Sequence, residues 1–96
     1  MSFATIELSR QGPVALLGLN RPDKLNAINA TMIDEINSAL DEIENDDTAL
    51  AIVVHGNGRA FSSGFDLQAG VAANRTTESE WRAAIDADLE LIMRFW

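Results

Sequence analysis

Two stretches of this sequence hold residue types that could do chemistry. The first, "GNGRAFSSGFDL" at residues 56 to 67, crowds three glycines, two serines and an aspartate behind an apolar run. The second, "RPDKLNAIN" at residues 21 to 29, carries an arginine and a lysine in a stretch broken by Pro22. Three chemistries suit the first stretch: a phosphate cradle, a serine nucleophile, or a turn that presents backbone N–H groups.

The phosphate cradle fails on spacing. "GNGRAF" imitates the start of a dinucleotide fingerprint, but Phe61 stands at the third glycine position and no lysine–hydroxyl pair of the P-loop kind is present. The nucleophile fails on partners. Ser62 and Ser63 would need a base, the sole histidine is His55, and "SSGF" lacks the spacing of a strained nucleophile elbow. A lone histidine closing an apolar strand reads as a structural residue. One histidine and scattered acids also give no metal-ligand cluster, so no metal is expected.

The backbone reading needs only what is there. Gly64 lets the chain adopt a conformation that other residues resist, which can turn the next N–H groups outward. Asp66 would cap a short helix starting at Leu67, so the turn also lies near a helix N-terminus. Outward N–H groups suit a developing oxyanion. From the residues alone, a plain glycine turn joining strand to helix serves equally well.

The elements that must position these stretches follow from patterning. "FATIEL" (Phe3 to Leu8) reads as a strand, "RQGP" as a turn, and "VALLGLN" (Val14 to Asn20) as the second strand of a hairpin. A helix should begin near Thr31, with Thr31 and Asp34 as a capping box and Met32, Ile33, Ile36, Leu40 and Ile43 at helical spacing. It ends at Asn45, Asp46 and Asp47. "ALAIVV" (Ala49 to Val54) has the continuous apolar character of a strand covered on both faces. Strand, helix, strand makes a right-handed crossover. Thr77 and Glu80 launch a last helix from about Glu78, with Trp81, Ile85, Leu89, Ile92 and Phe95 or Trp96 as its apolar stripe.

Composition bounds the rest. The 96 residues suffice for one small domain, and 47% of them are apolar. Fifteen acids against seven basic residues, net −8, argue against nucleic acid but leave room for an anionic small molecule at one basic side chain. No cysteine is present, which removes thiolate chemistry and suits a reducing compartment. No apolar run nears the ~20 residues of a membrane helix. The start lacks a basic region followed by an apolar stretch, so a cytoplasmic protein is expected. A buried strand with one covering helix, and a last helix ending on aromatics without a cap, read as part of something larger.

Together, "RPDKLNAIN" and, about thirty residues on, "GNGRAFSSGFDL" closely resemble the enoyl-CoA hydratase/isomerase family, the crotonase superfamily. The resemblance covers the whole chain but only about the first third of a usual member. It implies an α/β fold, a crotonase-like spiral of ββα units, with residues 1–96 the N-terminal part of a single domain. It implies that the Phe65 N–H binds a thioester oxygen, with Ser63, Gly64, Asp66 and Leu67 along the acyl-CoA path. Lys24, Leu25 and Ala27 would lie along coenzyme A, Lys24 as the phosphate- or adenine-side contact; a solvated loop lysine is the plainer alternative. Coenzyme A enters as part of the substrate, and no redox cofactor is expected. The second oxyanion donor and the acids that move protons would come from downstream, in the same polypeptide or on a second chain. Hydration of a 2-enoyl-CoA is the favoured reaction, with isomerisation and aryl-CoA dehalogenation next, since many hydratases carry alanine where Phe65 stands. Trimers or hexamers are the family's usual assemblies. A non-catalytic CoA-binding or assembly module is the rival class.

Overall fold

The computed structural model describes residues 3–66 and 78–95. Apolar alternation produces a hairpin first: β1 (Ile6–Gln11) runs antiparallel to β2 (Val14–Leu19), paired from Ile6↔Leu19 to Gln11↔Val14. The turn between them is only Gly12–Pro13, so Arg10 and Gln11, expected in the turn, belong to the ladder. β1 therefore starts and ends three residues later than the alternation suggests. Ala4 and Thr5 are instead fastened by main-chain N–H bonds, 2.7 Å each, to the carboxylate of Glu35. The Thr5 C=O still accepts the Asn20 N–H at 2.8 Å, so the side-chain anchor serves the N–H groups there.

After a one-turn 3-10 segment, Pro22–Lys24, the chain enters helix α1 (Ala30–Glu44). Its cap is Asn29, whose side-chain oxygen accepts the Met32 N–H at 2.9 Å; the expected Thr31–Asp34 box is not used. Such a cap is worth about 1 kcal/mol, and Asn29 wins because it stands in extended backbone where the cap is needed. Strand β3 (Ala51–Gly56) then joins β2 in parallel, from Val14↔Ala51 to Leu19↔Gly56. The sheet order is β1-β2-β3, with α1 as the crossover between its parallel strands.

The core lies between α1 and one face of this sheet. Ile6, Leu17 and Leu19 meet Met32, Ile36, Ala39 and Leu40, with Ile52 and Val54 of β3 packed at the margin. Each fully buried leucine or isoleucine there contributes about 2 kcal/mol. On the opposite face the side chains of His55 and Asn57 lie over Gly18. β3 was expected to be buried on both sides, but its residues alternate half-buried and exposed, and Val53 keeps 48% of its surface. The cause is simple: α1 has one sheet face to cover, and covers it.

Helix α2 (Glu78–Arg94) starts where expected and stops one residue short of Phe95, which the expected helix included; the expected Thr77 cap and Trp96 fall outside the described residues. Its stripe behaves differently from expectation. Trp81, Ile85, Leu89, Ile92 and Phe95 are all exposed, and only Leu91 reaches the core. What ties the end of α2 to α1 is largely polar: the Arg94 guanidinium binds Asn37 Oδ1 at 2.9 Å and forms ion pairs with Asp41 and Glu44. No described helix is long and apolar enough to cross a membrane.

Candidate functional site

Proline and two left-handed residues shape the first loop. Pro22 opens the 3-10 turn, and Leu25 and Asn26 take φ of 52° and 55°. Asparagine tolerates that region better than most residues. The turn closes through Asn26 N–H to Arg21 C=O (2.8 Å) and Ala27 N–H to Lys24 C=O (3.1 Å). Lys24 is left at the tip with its side chain exposed, in no ion pair among the described residues.

The second loop returns from β3 and lies against the first. Three main-chain bonds join them: Ser63 N–H to Leu25 C=O at 2.9 Å, Ile28 N–H to Gly64 C=O at 2.8 Å, and Asp66 N–H to Ile28 C=O at 2.8 Å. Ile28 and Phe65 thus form an isolated parallel bridge. The structure brings together the expected site residues Lys24, Leu25, Ala27, Ser63, Gly64, Phe65 and Asp66 as two facing segments. Leu67, and the short helix expected from it, lie outside the described residues.

This pairing decides where the Phe65 N–H points. The Gly64 C=O and the Phe65 N–H belong to one planar peptide, and no described peptide bond is cis. In a trans peptide the two groups point in opposite directions. Holding the carbonyl on Ile28 therefore aims the N–H to the side away from Ile28. Among the described residues that N–H has no acceptor. Gly64 takes φ of 97°, outside the range a side chain accepts comfortably. A Cβ there would meet nothing within 4 Å, so conformation and not crowding calls for glycine. At Gly56 the reason is the reverse: a Cβ would sit 2.4 Å from the carbonyl oxygens of Ala60 and Phe61, which fold back over it.

Polar side chains lock the two loops further; of these, sequence reasoning did not single out Arg21 and Asn26, and it weighed Ser62 only as a nucleophile. Arg21 donates to Ala27 C=O and pairs with Asp66 at 3.3 Å, both side chains being largely buried. Asn26 is wholly buried and bonded on all sides. The Ser62 hydroxyl donates to Asn26 C=O at 2.8 Å and accepts the Gly64 N–H at 3.0 Å. That bond engages Ser62 in the turn, while the ring of His55 stands over Gly18 at the end of β3. The signal that could have found these residues is an arginine and an asparagine bracketing a loop rich in positive-φ formers.

Chemically, the arrangement offers one backbone donor held in a fixed direction, which is what stabilises developing negative charge well. Depressions of the described surface lie elsewhere, along Glu78, Arg82 and Asp86 of α2 and between β1 and the end of α1.

Comparison with known proteins places the chain in context. The profile of the family described as "Enoyl-CoA hydratase/isomerase" matches residues 9–95. A solved structure of an enoyl-CoA hydratase/isomerase from Xanthobacter autotrophicus Py2 superposes with a TM-score of 0.95 at 40% identity, over 99% of this chain and 35% of that one. A probable enoyl-CoA hydratase of Rhizobium meliloti is 41% identical over 68 residues, 71% of this chain and 26% of its own length. A trans-2-decenoyl-[acyl-carrier-protein] isomerase of Streptococcus mutans is 35% identical over 88 residues, 92% of this chain and 29% of its own length. The chain thus spans about a third of the proteins it matches.

Proposed function

This chain belongs to the enoyl-CoA hydratase/isomerase family, as an N-terminal portion of the crotonase fold, and from that premise we propose that it supplies one donor of an oxyanion hole and part of a coenzyme A groove to a 2-enoyl-CoA hydratase. The observation that carries the reading is the Gly64–Phe65 peptide. Its carbonyl is held by Ile28, and its N–H faces away with no acceptor among the described residues.

In the proposed reaction the thioester oxygen of a 2-enoyl-CoA accepts the Phe65 N–H. Water adds its oxygen to the β-carbon, and the double-bond electron pair moves toward the carbonyl to give an enolate. The α-carbon then takes a proton. The developing charge on oxygen is shared between Phe65 N–H and a second donor from residues beyond this chain, as are the groups that move the protons. Coenzyme A is part of the substrate, and no redox cofactor or metal takes part. The exposed Lys24 cation, on a loop bonded to Ser63 through Leu25, suits a coenzyme A phosphate. A cytoplasmic homo-trimer or hexamer is the assembly proposed with this reading.

Isomerisation of the double bond, through a dienolate, and aryl-CoA dehalogenation, through a ring adduct that then expels halide, also place negative charge on the thioester oxygen, and the aromatic Phe65 beside the donor favours keeping them as alternatives. The test is turnover by the complete protein carrying this segment, on crotonyl-CoA, a 3-enoyl-CoA and a 4-halobenzoyl-CoA. Conversion of crotonyl-CoA to the 3-hydroxyacyl thioester is expected. Preference for another thioester reassigns the reaction; failure to turn over any of them leaves a non-catalytic module and defeats the enzyme reading.

A further inference from the structure

The Phe65 N–H is aimed by Gly64, and Gly64 is itself held at both ends. Ile28 N–H binds its carbonyl at 2.8 Å, and the Ser62 hydroxyl takes its N–H at 3.0 Å. The Ser62 hydroxyl is oriented in turn by the carbonyl of Asn26, 2.8 Å away. Asn26 does more than that. Its side chain accepts the Arg21 N–H at 2.7 Å and donates to the carbonyls of Asn57 and Ala60, 2.9 Å each. Its own N–H donates to Arg21 C=O at 2.8 Å. One residue with no exposed surface therefore ties the Lys24 loop, the turn at residues 57–60 and the approach to Gly64.

The residue type follows from these demands. A buried amide is costly unless its donors and acceptor are satisfied, and here the oxygen and both hydrogens are used. Leucine would fill the space and leave two carbonyls without donors. Aspartate would keep the acceptor and lose both donors. The backbone φ of 55° restricts the position further.

We propose that Asn26 is a positioning residue for the acyl-CoA reaction: through its bonds to Arg21, Asn57, Ala60 and Ser62 it fixes the direction of the Phe65 N–H relative to the loop carrying Lys24. This rests on the function proposed above. Asn26 touches no substrate, so it acts through the turn. Its loss weakens the polarisation of a bound thioester carbonyl more than it weakens binding.

The experiment uses the complete protein, with cinnamoyl-CoA as probe, labelled with carbon-13 at the carbonyl. The shift of the carbonyl stretch on binding is measured by difference infrared spectroscopy, beside kcat and KM for crotonyl-CoA. Asn26→Gly keeps the positive-φ backbone without strain and removes the side-chain bonds; Asn26→Asp keeps the shape and the acceptor. In the folded variants the carbonyl shift should fall by half or more. The kcat should drop roughly 10- to 100-fold while KM changes less than about threefold. A residue that only stabilises the fold would lower the melting temperature and leave the shift per bound probe intact, and that result overturns the proposal. So does failure of both variants to fold, which makes Asn26 a fold determinant only. Absence of any carbonyl shift in the unmodified protein defeats the oxyanion reading itself and is told apart from the other outcomes by that control.

Discussion

Ile28 faces Phe65 across a single parallel bridge, and the peptide of Gly64 and Phe65 spends its carbonyl on Ile28 while its N–H turns outward. Replacing Phe65 by proline deletes that N–H while leaving the Gly64 carbonyl and the Asp66 N–H as the groups that pair with Ile28. Turnover by the complete protein should fall on the order of 100- to 1,000-fold. Phe65→Ala keeps the donor and should shift substrate preference instead. Steady-state rates on a panel of thioesters, with circular dichroism as the check on folding, decide this. A folded proline variant with near-normal turnover refutes the donor assignment.

Gly64→Ala tests conformation without crowding. The new methyl would meet nothing within 4 Å, but a φ of 97° is unfavourable for alanine. The variant should lose about 1–3 kcal/mol of stability, visible as a lower midpoint in urea unfolding, and turnover should decline as the donor is redirected. Unchanged stability would mean that the turn relaxes to another conformation at no cost.

Lys24→Ala should leave the melting temperature alone, because the side chain is exposed and makes no ion pair among the described residues. KM for coenzyme A esters should rise well before kcat falls. Equal KM values for variant and parent would return Lys24 to a solvated loop.

Glu35 gives a pH prediction away from the site. Burial pushes its carboxyl upward, but bonds from the Thr5 hydroxyl, the Ala4 N–H and the Thr5 N–H outweigh this and hold it below the usual value of 4.5. A carboxyl depressed on folding adds stability above its unfolded pKa and loses it as pH falls through the folded value. Glu35→Gln should therefore be the less stable protein at neutral pH, and the gap should close in acid, below about pH 4. Urea midpoints from neutral pH downward measure it; a gap independent of pH would show that shape and not charge holds residues 4 and 5.

Much of this was readable from residue types. The span of β2 and the bodies of α1 and α2 follow from hydrophobic patterning and capping residues. Boundaries set by tertiary partners did not: β1 slid toward the turn because it must match β2, and Asn29 took the cap from Thr31. The stripe on α2 was legible as a pattern but not as a contact, since Leu91 and Arg94 make the attachment. At the site, both motifs stood out in the sequence. Their main-chain pairing did not, because N–H and C=O groups are common to every residue and spacing cannot show which of them meet. Arg21 and Asn26 were overlooked, and Ser62 was considered only as a nucleophile, for the same reason: each matters through the carbonyl or amide it reaches.

The open flank of β3 has a consequence for how these residues are made. β3 pairs with β2 along one edge only, and no described strand lies along its other edge. A nascent chain that has released the hairpin, α1 and β3 presents a strand ladder ready to accept any extended neighbour. Until a partner strand takes that place, association with another copy competes with correct assembly. Synthesis rate and chaperone supply should accordingly govern the soluble yield of any polypeptide containing this segment more strongly than its final stability does.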